Sequence, residues 1–133
     1  NFMNTKILMT SSALVLGAAG IFALFMPDLV LSAQGATATE AMSMLVQLMG
    51  ALYFAFALMN WTAKDGVIGG IYARPVSLGN FAHFFAGALL LVKAQFSSEF
   101  SWLGFVVMLV YVFYALCFYW LVFRATGIKP PAA

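Results

Sequence analysis

Four long apolar runs separated by short polar breaks dominate this chain, at residues 7–26, 41–61, 76–92 and 102–123. Crossing a hydrocarbon layer of roughly 30 Å takes about 20 helical residues, so the runs match the length of membrane spans. The breaks hold residues that start or stop helices. Pro27-Asp28 follows the first run, and Thr62-Ala63-Lys64-Asp65-Gly66 follows the second. Pro75 opens the third run, where its missing N–H costs nothing, and Arg124, Gly127 and Pro130-Pro131 close the fourth. Lipid offers backbone groups no hydrogen bonds, so each run must satisfy its own, as a helix does. The pattern predicts an all-α fold: an integral-membrane four-helix bundle with short loops, forming one transmembrane domain over residues 1–133.

A secretory signal peptide is the rival reading of the first run, because Lys6 precedes it and Ala36-Thr37-Ala38 resembles a cleavage site. The apolar stretch exceeds the roughly 7 to 15 residues of a signal core. It therefore reads as a span.

Composition changes the picture in one respect. With 65% hydrophobic and 8% charged residues, the chain cannot coat a water-soluble surface, whereas a bundle in lipid needs charge only at its rims. The net charge of +2 then reports orientation. With four spans, Lys6, Lys64, Arg74, Arg124 and Lys129 fall on one side and Lys93 on the other, while Asp28, Glu40 and Glu99 lie with Lys93. Basic residues accumulate on the cytoplasmic side, which predicts a multi-pass protein of the inner cell membrane with both termini cytoplasmic. Trp61, Trp102 and Trp120 stand near span ends, where an indole keeps its ring in lipid and its N–H among headgroups. Six Lys/Arg scattered over the loops make no basic stripe, so nucleic acid is not an expected partner.

Lipid tails are as apolar as leucine, so helices associate through close contact between small residues. The first span has Ala13, Gly17, Gly20 and Ala23, the second Gly50, Ala51, Ala55 and Ala57, and the third Gly79, Ala82, Ala86 and Gly87. Spacings of three and four place several on a common face. The fourth span differs, with Phe105, Tyr111, Phe113, Tyr114, Phe118, Tyr119, Trp120 and Phe123 giving bulk all round.

Polar residues inside a span are costly unless satisfied, and so mark candidate sites. His83, the sole histidine, lies eight residues past Pro75, about 12 Å along the third helix. Asn80 sits one turn before it, and Gly79 and Gly87 flank it four residues to either side. Matching depth across antiparallel helices brings Tyr53 and Tyr114 to about the same level, with Thr10, Ser11, Ser12, Asn60 and Cys117 nearer the rim. In the loop at residues 62–74, Gly69-Gly70 suits a tight turn or an anion, and Arg74 before a helix start suits a phosphate or lipid headgroup. The positive-inside rule explains Lys64 and Arg74 equally well. The candidate ligand-binding set is His83, Asn80, Tyr53, Tyr114, Asn60 and Arg74. The alternative for His83 is a structural histidine bonded to a neighbouring helix.

No catalytic or metal-ligating set emerges. Asp28, Glu40, Asp65 and Glu99 all fall outside the spans, and one histidine cannot build a metal site with them. Haem would need a second axial ligand, so no cofactor is expected. Cys117 alone makes neither a disulfide nor a Cys-x-x-Cys pair. The first run lacks the carboxylate of small multidrug exporters, the chain lacks the paired cysteines of quinone-coupled disulfide-forming enzymes, and the second run lacks the Glu/Arg and Asn-rich motif of glutathione-using membrane enzymes. The leading expectation is a non-enzymatic module that binds a lipid or other small hydrophobic or amphipathic molecule in the cytoplasmic half of the bundle. One alternative is an accessory or assembly subunit, working as a homo-oligomer or with a partner membrane subunit. The other is a small enzyme or oligomeric transporter that uses His83.

Overall fold

A computed structural model describes residues 4–66, 68, 73–97 and 101–123. Among the described residues there are five helices and no strand: α1 (Thr5–Phe25), α2 (Pro27–Ala33), α3 (Glu40–Ala63), α4 (Arg74–Ser97) and α5 (Trp102–Phe123). Helices α1, α3, α4 and α5 carry the four apolar runs, and each is long and apolar enough to cross a membrane. The all-α expectation holds, and the chain is a multi-pass membrane protein. It divides into two compact units, one holding α1 to α3 and ending at Lys64, the other starting at Asp65 and holding α4 and α5.

In the first unit, Asn4 caps α1 by accepting from the N–H groups of Lys6 (3.0 Å) and Ile7 (3.4 Å), satisfying donors that have no partner within the helix. Buried positions on α1 recur at Leu8, Ser12, Leu16, Gly20 and Ala23, a single stripe at helical spacing. That stripe meets α3 antiparallel: Ser12 pairs with Asn60, Gly17 faces Ala57, Gly20 faces Gly50, and Gln47 Nε2 donates to the Leu24 carbonyl at 3.1 Å. Gly20 and Gly50 form the closest crossing. A Cβ on Gly20 would stand 2.8 Å from the Gly50 carbonyl oxygen, and one on Gly50 would stand 2.8 Å from Ala23 Cβ. The absence of side chains lets the two backbones approach, and dispersion between them replaces the hydrophobic drive that lipid removes.

Helix α2 lies inside a segment that the apolar pattern gave only as a polar break. Seven residues are too few for periodicity to show, yet its end signals are present in the sequence. Pro27 stands at its first position. Gly35, at φ 73°, ends it in a Schellman turn, with N–H to carbonyl bonds from Gly35 to Ser32 and from Ala36 to Leu31, both 3.0 Å. Ser43 Oγ on α3 donates to Asp28 Oδ1 at 2.6 Å, tying α2 to the start of α3.

In the second unit, α4 and α5 also run antiparallel, since partners fall on α5 as positions rise on α4: Phe81 meets Phe123, Phe84 meets Phe118, Gly87 meets Tyr111, and Gln95 meets Gly104. Helix α4 continues five residues past the predicted end of its apolar run, to Ser97. Those residues include Lys93, which is exposed and can reach the headgroup region, and Gln95, whose amide packs against Gly104 of α5. Their Phe84, Tyr114 and Phe118 rings fill the contact, with centroids 4.9 Å apart for Phe84–Tyr114 and 5.8 Å for Phe84–Phe118.

Candidate functional site

The six residues singled out from the sequence divide between the two units. Tyr53 and Asn60 belong to α3, and Arg74, Asn80, His83 and Tyr114 to α4 and α5. On α3, Tyr53 is half-buried, while Asn60, seven residues on and so on the same face, is fully buried. Asn60 Nδ2 donates to Ser12 Oγ at 3.0 Å, and Ser12 Oγ donates onward to the Met9 carbonyl at 3.0 Å. This relay closes a polar interhelix bond inside an apolar interface. It leaves the Asn60 amide serving the α1–α3 contact. At the end of α3, the Lys64 ammonium lies 4.1 Å over the Trp61 ring and donates to the Trp61 carbonyl at 3.3 Å, an arrangement suited to a helix end at the membrane rim.

On α4, Arg74 is the first residue, exposed, with its carbonyl accepting from Ser77 Oγ at 3.1 Å. Gly69 and Gly70, which with Arg74 suggested an anion or headgroup site, lie outside the described residues, as do Glu99, Arg124 and Lys129. Asn80 is fully buried and donates from Nδ2 to the Val76 carbonyl at 2.8 Å. A buried amide that returns to its own helix avoids the cost of an unsatisfied polar group in hydrocarbon.

His83 is only half-buried. Its Nε2 lies 3.0 Å from the hydroxyl of Tyr111 on α5. Depth matching had pointed to Tyr114, one turn further along α5, but Tyr114 spends its ring on Phe84. Gly87 decides the difference. Having no side chain, it seats the Tyr111 ring, which a Cβ there would overlap, and this directs the phenol toward the residue one turn back, His83. Neighbouring rings pack around the pair: His83 to Phe84 at 5.1 Å and Phe84 to Tyr111 at 5.2 Å, both edge-to-face, the geometry that ring quadrupoles favour.

Tyr111 and Ser12 are thus the polar partners that complete the two clusters, and neither was in the sequence-derived set. For Tyr111 the available signal was Gly87 one turn after a histidine, a notch that an aromatic on the neighbouring helix can fill. For Ser12 no periodic signal distinguished it from Ser11 beside it. Among the described residues no group of three or more His, Cys, Asp or Glu side chains is placed to hold a metal ion. The chemistry available at the α4–α5 site is therefore hydrogen bonding by an imidazole and a phenol within an aromatic, lipid-depth surround. No protein-family model matches this chain, and no curated protein and no solved structure matches it.

Proposed function

We propose that this protein is a non-enzymatic module of the inner cell membrane that binds a lipid or other small amphipathic molecule, with His83 as the polar anchor of the site. The supporting observation is that His83 carries a hydrogen-bonded imidazole at mid-helix and is nevertheless only half-buried. A histidine kept for packing is best sealed, because a polar edge facing hydrocarbon is costly; one that receives a ligand must be reachable. Asn80, fully buried one turn before His83 and bonded to its own helix, supports the site from within α4. Tyr114 contributes aromatic surface.

Native mass spectrometry of the detergent-purified protein tests this. Wild type should retain a small amphipathic molecule, and His83→Ala should weaken its retention about tenfold, the equivalent of one interhelical-strength hydrogen bond of 1–2 kcal/mol in a membrane. The thermal midpoint of the variant should stay within a few degrees of wild type. Equal retention by His83→Ala, or a wild type that retains nothing, would overturn the reading.

The orientation belongs to the same proposal. Lys6 stands at the start of α1, Lys64 just past the end of α3, Arg74 at the start of α4 and Lys93 near the end of α4; spans that alternate in direction would put the first three on one side, so both termini are read as cytoplasmic. Membrane-impermeant thiol labelling of Thr5→Cys and Lys93→Cys in intact cells should modify only the second. Modification of the first would reverse the orientation.

A further inference from the structure

The proposed His83 site already contains a hydroxyl, and it comes from the protein itself. The Tyr111 oxygen sits 3.0 Å from His83 Nε2. An uncharged imidazole carries one acceptor nitrogen, and a phenol is a good donor to it; with the imidazole proton on Nδ1, the tautomer taken for the proposal below, the Tyr111 O–H donates to Nε2. The two side chains differ in freedom. Tyr111 is buried, its ring held over Gly87 and edge-on to Phe84, whereas the imidazole is half-buried. His83 is thus the partner able to turn, and Tyr111 the fixed one.

We propose that Tyr111 is a resting-state occupant of the His83 acceptor, and that the ligand is a molecule with an uncharged hydroxyl on an apolar body, which takes the place of the phenol. This rests on the reading of His83 as the ligand anchor. In hydrocarbon an imidazole nitrogen without a donor costs free energy, so the empty site needs an internal donor; a hydroxyl ligand can release His83 from Tyr111 without that cost, because its O–H donates to Nε2 and its oxygen can accept from the displaced phenol. A long-chain alcohol, a monoacylglycerol and an undissociated fatty acid share this chemistry. An ester or ether, which only accepts, does not. The internal bond also competes with the ligand: the fraction of protein with His83 turned outward sets the apparent affinity.

The test measures binding of radiolabelled 1-hexadecanol and of its methyl ether to the protein in nanodiscs. Wild type should prefer the alcohol roughly tenfold, the effect of one hydrogen bond. Tyr111→Phe keeps the ring over Gly87 but removes the competing hydroxyl, so it should bind the alcohol about threefold more tightly than wild type, as expected for loss of an average intramembrane hydrogen bond. His83→Ala should abolish the alcohol–ether preference. Equal binding of alcohol and ether by wild type, or weaker alcohol binding by Tyr111→Phe, would overturn the proposal. If His83→Ala still loses its co-purifying molecule in either of those cases, the anchor reading stands and only the ligand class falls. A His83→Ala protein that keeps that molecule removes both.

Discussion

Where α1 crosses α3, a Cβ added to Gly20 would meet backbone, the Gly50 oxygen and the Phe54 nitrogen, each at 2.8 Å; where α4 meets α5, the atoms that a Cβ on Gly87 would overlap belong to the side chain of Tyr111. The two pairs hold together in lipid by opposite means. The first removes side chains so that main chains touch, and the second interleaves rings around one small notch. Backbone cannot move aside without bending a helix, whereas a side-chain contact can relax through small shifts of the ring and its neighbours. The first contact should therefore be rigid and purely structural. The second can rearrange locally, as a binding site requires.

Substitutions at Gly20, Gly87 and Gly17 would break or sharpen that contrast. The largest effect is expected for Gly20→Ala, which forces α1 off α3 and should cost about 3 kcal/mol, read as a lower midpoint on titration of the folded protein with SDS. Gly87→Ala should cost less, about 1–2 kcal/mol, because displacing a side chain costs less than displacing a backbone; by pushing the competing phenol off His83 the same variant should also raise retention of the His83-bound molecule, an effect that Gly20→Ala lacks at equal folded fraction. Smallest is Gly17→Ala, where the new Cβ would lie an ordinary 3.5 Å from Ala57 Cβ and the gain in helix propensity, about 0.5–1 kcal/mol, should leave stability unchanged or slightly raised. A Gly87→Ala protein less stable than Gly20→Ala would contradict the contrast. So would a Gly17→Ala protein as damaged as Gly20→Ala.

The sequence singled out Gly17, Gly20, Gly50 and Gly87 as small residues at helical spacing, but not their unequal importance. Gly17 and Gly20 lie three residues apart on one stripe, yet a Cβ on Gly20 would meet the α3 backbone at 2.8 Å while one on Gly17 would meet only Ala57 Cβ at 3.5 Å, and such closeness is a property of two helices at once. His83 and Asn80 were legible as polar groups inside an apolar run. Their fates were not, since Asn80 turns back to Val76 and His83 reaches across to Tyr111. Depth counting along α5 gave the level of Tyr114 but could not single out Tyr111 one turn away, because it measures position along an axis and ignores how Gly87 sets the register of the rings.

What the sequence by itself determined is the solvent and the secondary structure. Apolar runs of this length, with charge confined to the breaks, can only be satisfied as helices in lipid, because the backbone has no other hydrogen-bond partners there. The tertiary structure decided which face of each helix turns inward. In water, polarity separates inside from outside, but all four spans are apolar on every side, and lipid does not distinguish Leu14 from Leu16. Leu14 stays exposed and Leu16 is buried through shape complementarity between particular pairs of helices, and it is the same complementarity that brought the Tyr111 hydroxyl to His83.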